Sequence, residues 1–495
     1  MLNILGSRRK ACDGLIRREF LQAGGISLFG LGLGSALQAA PSADDDRLPH
    51  FGRAKSCILL YLYGSPSQLE TFDVKPEAPL EIRGTLGHIP TVIPGYHIGE
   101  LLPETAKVLD RTTVVRSMTH PYPVHGIAYA TTGLPVPEGN MEVTPKDPRH
   151  WPFIGSVVEH LDERRFAEAP ALPRNIALPF PLSTRRANQP FRAGPYAAFL
   201  GSAYDPIWTE FQGEGTKVFT QENRGVVQEF RDPYGGIGPD GRFDFTATSL
   251  LPDLTIDRLS RRRSLQQQLE EGRRQLDATA RLAGYDRAGQ TAYSLLTSRR
   301  LSDALDVQKE PMSVRDTYGM TLWGQASLVA RRLIEAGGRF VSIFWDEYGL
   351  ADSAWDTHYQ HYPRMKDELC PTFDQAYPAL IRDLEARGLL DETLVVCISE
   401  HGRTPQINKA KGGGRDHWSQ AYSAIFAGGG FAKGNVVGKT DRFAGEVAGT
   451  PVSPKDILAT VYHLLGISPE TIIHDPLNRP YPVAGAGQVR AELIA

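Results

Sequence analysis

The sequence predicts an α/β fold with a mostly parallel central sheet flanked by helices, on three observations. Ser56–Tyr63 is a continuous apolar run that stops abruptly at Gly64-Ser65-Pro66-Ser67, the pattern of a strand buried on both faces that opens into a loop. Apolar residues at Leu369, Phe373, Ala376, Leu380 and Leu384 recur at helical spacing and stop at Gly388. A second apolar strand, Thr393–Ser399, follows at once, and such alternation of strand and helix selects the α/β class.

The remaining elements fill in around these. A short strand is expected at Thr113–Met118, with the loop from His120 to His125 at its end. Residues 135–250 are rich in Pro, Gly and Phe with weak periodicity, and read as loops and insertions over one edge. Residues 254–284 are charged and helical in pattern, and their arginines mark a solvated face. A helix is expected over 318–335, ended by Gly337-Gly338, then a strand at Phe340–Trp345, and Ser453–Leu465 closes the fold as a helix. The chain thus divides into residues 1–40 and a single domain, 41–495, with a loop-rich insertion at about 135–310.

Composition narrows the class of function. The chain has 495 residues, 41% hydrophobic and 22% charged, which excludes a disordered or collagenous protein and allows a sizeable core. Residues 41–495 carry 49 Lys+Arg against 55 Asp+Glu, without the basic field of a nucleic-acid-binding protein. Of the four cysteines, Cys57 and Cys397 sit in apolar runs and none has metal-knuckle spacing; buried thiols are expected.

Residues 7–40 read as an export signal. Arg17-Arg18-Glu19-Phe20-Leu21 resembles the twin-arginine consensus, and a Gly-rich apolar stretch from Ala23 to Leu37 leads into small residues near Ala39 and Ala40. The stretch is too short to span a bilayer as a permanent helix. No other run approaches that length, so the expectation is a mature chain without a membrane span, delivered to the periplasm or secreted by the twin-arginine machinery.

Three clusters carry the candidate chemistry, each after an expected strand: Trp355-Asp356-Thr357-His358, Glu400-His401-Gly402-Arg403, and Gly414-Arg415-Asp416-His417-Trp418. Imidazole mixed with carboxylate is the ligand chemistry of divalent metals, and groups converging from strand ends are a common way to hold one or two ions. Asp356, His358, Glu400, His401, Asp416 and His417 are therefore the candidate ligands of a divalent metal ion such as zinc, manganese or calcium. The planar fork of Arg403 suits a sulfate or phosphate, or equally an internal carboxylate. No G-x-S-x-G elbow is present, which removes an ordinary serine hydrolase.

The chain also resembles the DUF1501 family, mostly exported bacterial proteins within the alkaline phosphatase-like (sulfatase-like) superfamily. The likeness rests on Gly64-Ser65-Pro66-Ser67 leading to Thr71-Phe72-Asp73-x-Lys75-Pro76. It continues through Leu200-Gly201-x-x-Tyr204-Asp205-Pro206, Trp355-Asp356-Thr357-His358 and Arg387-Gly388-Leu389-Leu390-Asp391-x-Thr393. It closes with Gly402-Arg403-Thr404-Pro405 and Arg415-Asp416-His417-Trp418. The resemblance implies an alkaline phosphatase-like fold and a metal-dependent hydrolase of sulfate or phosphate esters, small-molecule or polysaccharide. In that mapping Asp356 and His358 match one metal-binding pair, Glu400-His401 the Asp-His pair and His417 the final histidine.

Two departures stand against it. Where the superfamily places a metal-binding Asp after the first strand, this chain has Gly64 or Ser65, with Glu70 or Asp73 the nearest substitutes. The formylglycine motif is missing as well, leaving Thr131 or Thr132 as candidate nucleophile and His125 as a ligand or general acid. The alternative expectation is a binding or scaffold protein that keeps the fold without turnover.

Overall fold

The computed structural model describes residues 48–495 apart from 123–124, 135–137, 167–169, 171, 187–189, 224–225, 246–294, 296–297 and 350–352. The export signal and the charged segment 254–284 lie outside the described residues.

Among the described residues nine strands form the central sheet: β1 (Ser56–Leu62), β2 (Thr112–Met118), β3 (Asn175–Leu178), β4 (Ile207–Gln212), β5 (Arg242–Phe245), β6 (Phe340–Trp345), β7 (Thr393–Ile398), β8 (Tyr422–Ala427) and β9 (Asn435–Val437). Their order across the sheet is β9-β2-β8-β7-β1-β6-β3-β4-β5. The central strand β1 pairs in parallel with β6 through Cys57↔Phe340 and with β7 through Ser56↔Thr393. The β6–β3 and β3–β4 ladders are also parallel. Only β8, between β7 and β2, and β5 at the far edge run against their neighbours. Because β8 is antiparallel to both its neighbours, β2 points the same way as β7. The carboxyl ends of β1, β2, β6 and β7 therefore share one edge, where open α/β sheets bind ligands.

Burial explains why β1 is unbroken in its hydrophobicity: every residue of Ser56–Leu62 is buried. Helices Leu322–Glu335 and Cys370–Ala386 pack on each other beside the sheet, the first also on β6. The closing helix, Pro454–Leu464, starts with a capping box. The Ser453 side chain accepts from Asp456 N, and the Asp456 carboxylate accepts from Ser453 N. Cys57 and Cys397 are buried free thiols, as the apolar runs imply.

The structure corrects the sequence reading in two places. Residues 135–250 do not merely cover an edge: they supply β3, β4 and β5 and the helix Ile154–Arg165. These strands are short, four to six residues, and Pro and Gly around them mask their period. The helix expected over 318–335 is two helices, Met312–Tyr318 and Leu322–Glu335, split at Gly319 with φ +90°. Thr321 caps the second through Gly324 N.

One buried network fixes the loops at the ligand-binding edge. The Arg415 guanidinium donates to Glu70 Oε1 and to the carbonyls of Thr404, Pro405 and Ile82, and His361 Nε2 lies 3.2 Å from Glu70 Oε2. Burial would raise the Glu70 pKa, but Arg415 and His361 outweigh it and bring it down to about 2. A carboxyl held that far below its usual range stabilises the fold above about pH 4.5, and that contribution is lost as pH falls towards 2. Replacing Glu70 with Gln strands a buried guanidinium, which costs about 3–5 kcal/mol. Urea denaturation of Glu70→Gln at pH 7 should show a loss of that size, shrinking relative to wild type as both are titrated towards pH 2.

Candidate metal centre

Three strand ends and a short ribbon deliver the candidate residues to one place. The loop after β6 carries Asp356 and His358, and the turn after β7 carries Glu400 and His401. The loop after β2 carries His125, and a short antiparallel ribbon, Gly402–Arg403 against His417–Trp418, brings in His417. Asp356 is at the centre, 1% exposed. Its Oδ1 lies 3.1 Å from His358 Nε2, 3.2 Å from His417 Nε2 and 2.5 Å from Arg403 Nη2. Its Oδ2 lies 3.1 Å from His125 Nε2. The His401 and His417 rings are 4.4 Å apart, and those of His125 and His417 4.2 Å. Two triads follow, Asp356/His358/His417 and His125/His401/His417, each with its ligand atoms within 4.8 Å of one another. His417 belongs to both.

This donor set fits a divalent metal. The decisive atom is His401 Nε2, which is buried and has no hydrogen-bond partner among the described residues, while Nδ1 on the same ring is 2.8 Å from Gly402 O. With Nδ1–H donating to that carbonyl, Nε2 presents a lone pair to the cluster, the arrangement of a ligating imidazole. Burial, together with His417, Arg403 and His125, keeps the His401 pKa well below its ordinary value, so the ring is neutral. Burial likewise lowers His417, against the pull of Asp356.

His125 behaves differently. Burial alone would lower its pKa, but Asp356 and Glu400 overcome that and raise it to about 9. Both ring nitrogens face carboxylates, Nδ1 lying 3.1 Å from Glu400 Oε1. The result is a cationic imidazole between two buried anions. Burial would raise Asp356, yet Arg403 and His125 hold it well below the carboxylate range.

Other candidates fall outside both triads. Glu400 is spent on Tyr61 OH, 3.0 Å from Oε2, and on Gly64 N, 2.7 Å from Oε1, besides His125. Asp416 touches the far nitrogen of His358, Nδ1, at 2.7 Å; it orients the ring. Arg403 is fully buried, and its guanidinium donates to the carbonyls of Ser65, Arg415 and Gly64 and to Asp356. It pins the loops together and pairs with Asp356, which favours the internal-carboxylate role over the anion clamp of the two expected for it. Thr131 and Thr132 are also corrected: each hydroxyl donates to the carbonyl four residues back in its own helix, at 2.7 and 2.6 Å. Glu70 and Asp73 do not substitute for the absent Asp, since Glu70 pairs with Arg415 and Asp73 with Lys75.

Gly64 is the first of the two positions where that Asp would stand, and there the absence is steric. Its φ is +89°, and a Cβ built there would lie 2.2 Å from Asp356 N, so no side chain fits. Residues the sequence reading missed include Tyr61 and Tyr63, hidden as members of an apolar strand. The Tyr63 ring stacks on His125 with centroids 5.0 Å apart. Ser65 Oγ, which accepts from His401 N at 3.1 Å, is another.

The sequence matches a family described as "Protein of unknown function (DUF1501)" over residues 54–494. No curated protein sequence matches. Among solved structures, a sulfatase from Pseudoalteromonas sp. aligns at 11% identity over 90% of this chain and 73% of its own, with TM-score 0.37. The lipoteichoic acid synthase LtaP from Listeria monocytogenes aligns at 10% identity over 90% and 79%, TM-score 0.36. A phosphonate monoester hydrolase from Silicibacter pomeroyi aligns at 11% over 83% and 73%, TM-score 0.34.

Because His417 lies within ligand reach of Asp356 and His358 in one group and of His401 in the other, its loss should cost more metal than loss of His358 or His401 alone. Elemental analysis of His417→Ala, His401→Ala and His358→Ala, each checked for folding by circular dichroism, should give the lowest metal content for His417→Ala.

Proposed function

The chain belongs to the DUF1501 family, and we propose that it is a metal-dependent hydrolase of sulfate or phosphate esters. The observation that carries this reading is that His417 stands in one group of potential ligands with Asp356 and His358 and in another with His401, whose Nε2 has no partner among the described residues. A divalent ion held by these four would polarise an ester oxygen and offset charge on the transferring group. His125 supplies the proton chemistry: cationic between Asp356 and Glu400, it donates a proton to the leaving alcohol oxygen as the ester bond breaks. Glu400 holds that imidazole in place, itself fixed by Tyr61 OH and Gly64 N. With Thr131 and Thr132 bonded within their helix, water is the attacking group.

Export belongs to the same proposal and is supported by the Arg17-Arg18-Glu19-Phe20-Leu21 motif; the working location is the periplasm or beyond. Among the described residues no helix is long and apolar enough to cross a membrane.

A second reading, a binding protein without turnover, is favoured by one feature: the β1 loop closes on the site, with Gly64 against Asp356 and no carboxylate at that position.

The two readings separate in one series. Protein purified without chelator should contain one or two divalent ions per chain and cleave an aryl sulfate or aryl phosphate ester. Chelation should abolish the cleavage and metal should restore it. His125→Gln should keep its metal and lower kcat by roughly 10²–10⁴-fold, the usual scale for a lost general acid. Bound metal without cleavage of any ester in the panel would leave the binding reading standing, and absence of metal would remove the hydrolase.

A further inference from the structure

Arg403 is committed to the protein, so a guanidinium for the anionic end of an ester has to come from another residue. Arg192 is next to the cluster. Its guanidinium carbon is 5.4 Å from the centroid of the Tyr63 ring, and that ring is stacked on His125. Its Nε is buried and without a hydrogen-bond partner among the described residues. No carboxylate forms an ion pair with it among those residues, in contrast to its neighbours Arg185 and Arg186, which pair with Glu210 and Glu347. The Tyr63 hydroxyl is likewise buried and partnerless among them. Unpaired buried donors are costly and uncommon, and here two of them belong to a stacked Arg192–Tyr63 pair next to the candidate metal cluster. Despite burial, Arg192 stays charged in the field of Tyr63, Glu347, Glu142 and Glu400.

We propose that Arg192 and Tyr63 form the anion-binding pole of the site, taking up the non-bridging oxygens of a sulfate or phosphate ester through the Arg192 guanidinium and the Tyr63 hydroxyl. The assignment rests on the hydrolase reading for its substrate class, while the anion pocket itself is measurable apart from turnover. A planar guanidinium stacked on an aromatic ring is held in orientation and still has an edge to offer. That suits it to a tetrahedral anion better than Arg403, whose donors are occupied.

The test uses inorganic sulfate and inorganic phosphate as probes, titrated calorimetrically into the full-length protein as purified. Arg192→Met, Arg192→Lys and Tyr63→Phe are compared with wild type, with metal content and melting temperature recorded for each. Wild type should bind at least one of the two anions. Arg192→Met should weaken binding at least tenfold at unchanged metal content and melting temperature, Tyr63→Phe should weaken it several-fold, and Arg192→Lys should recover part of the loss. If an ester is cleaved, the Arg192→Met defect should fall mainly on KM. Equal binding in wild type and Arg192→Met would overturn the assignment, and so would no binding of either anion by metal-loaded wild type. Loss of metal-dependent cleavage with the Arg192-dependent anion site intact would instead count against the hydrolase reading alone.

Discussion

The architecture of this edge of the sheet depends on keeping one buried carboxylate, Asp356, ionised. A carboxylate taken out of water without partners costs several kcal/mol, and at 1% exposure Asp356 gets little help from solvent. Its compensation comes from Arg403, His125, His358 and His417, each within 3.2 Å of a carboxylate oxygen. Three of these four, Arg403, His125 and His417, are distant in sequence, so the full charge balance exists only after β2, β6 and β7 have been brought into line. The same demand fixes the backbone at Gly64. Any side chain there would strike Asp356 N, and the close approach lets Arg403 bridge the Gly64 carbonyl and the Asp356 carboxylate.

Loops at such an edge have no strand partners to satisfy their carbonyls, and two buried arginines take over that work. Arg403 gathers the carbonyls of Gly64, Ser65 and Arg415, and Arg415 those of Ile82, Thr404 and Pro405. Guanidinium suits this because its five N–H donors fan out in a plane. Glu70 then balances the charge of Arg415. Apart from the short ribbon of Gly402–Arg403 and His417–Trp418 that carries His417, the ligand loops are thereby held by side chains rather than by a ladder.

Much of this was legible in the sequence, and what was not has a physical cause. Strands Ser56–Leu62 and Thr393–Ile398 announce themselves because both faces are covered, and Asp356, His358, His401 and His417 because they stand just beyond strand or loop signals. Short strands in a Pro- and Gly-rich setting, Asn175–Leu178 above all, carry too few residues for a period to show. Tyr61 and Tyr63 read as apolar because their rings are buried, while the Tyr61 hydroxyl bonds Glu400 and the Tyr63 ring lies under the Arg192 guanidinium. Thr131 and Thr132 are the converse, hydroxyls with the right neighbourhood in sequence that their own helix consumes.

The arginines show why residue type and motif position cannot assign a role by themselves. Arg403, Arg415 and Arg192 are chemically identical, and the first two stand in the more recognisable motifs. What a side chain can offer a ligand is set by the donors left after the protein has used its share. Arg403 and Arg415 are exhausted by carbonyls and carboxylates, whereas Arg192 keeps a buried Nε unpaired among the described residues. The same accounting distinguishes the imidazoles. His358 and His125 have both nitrogens engaged with charged or ring neighbours, and His401 alone of the cluster holds a buried nitrogen with no described partner. Recognition chemistry collects where the fold leaves capacity unspent, and at this edge those places adjoin one another around Tyr63 and His125.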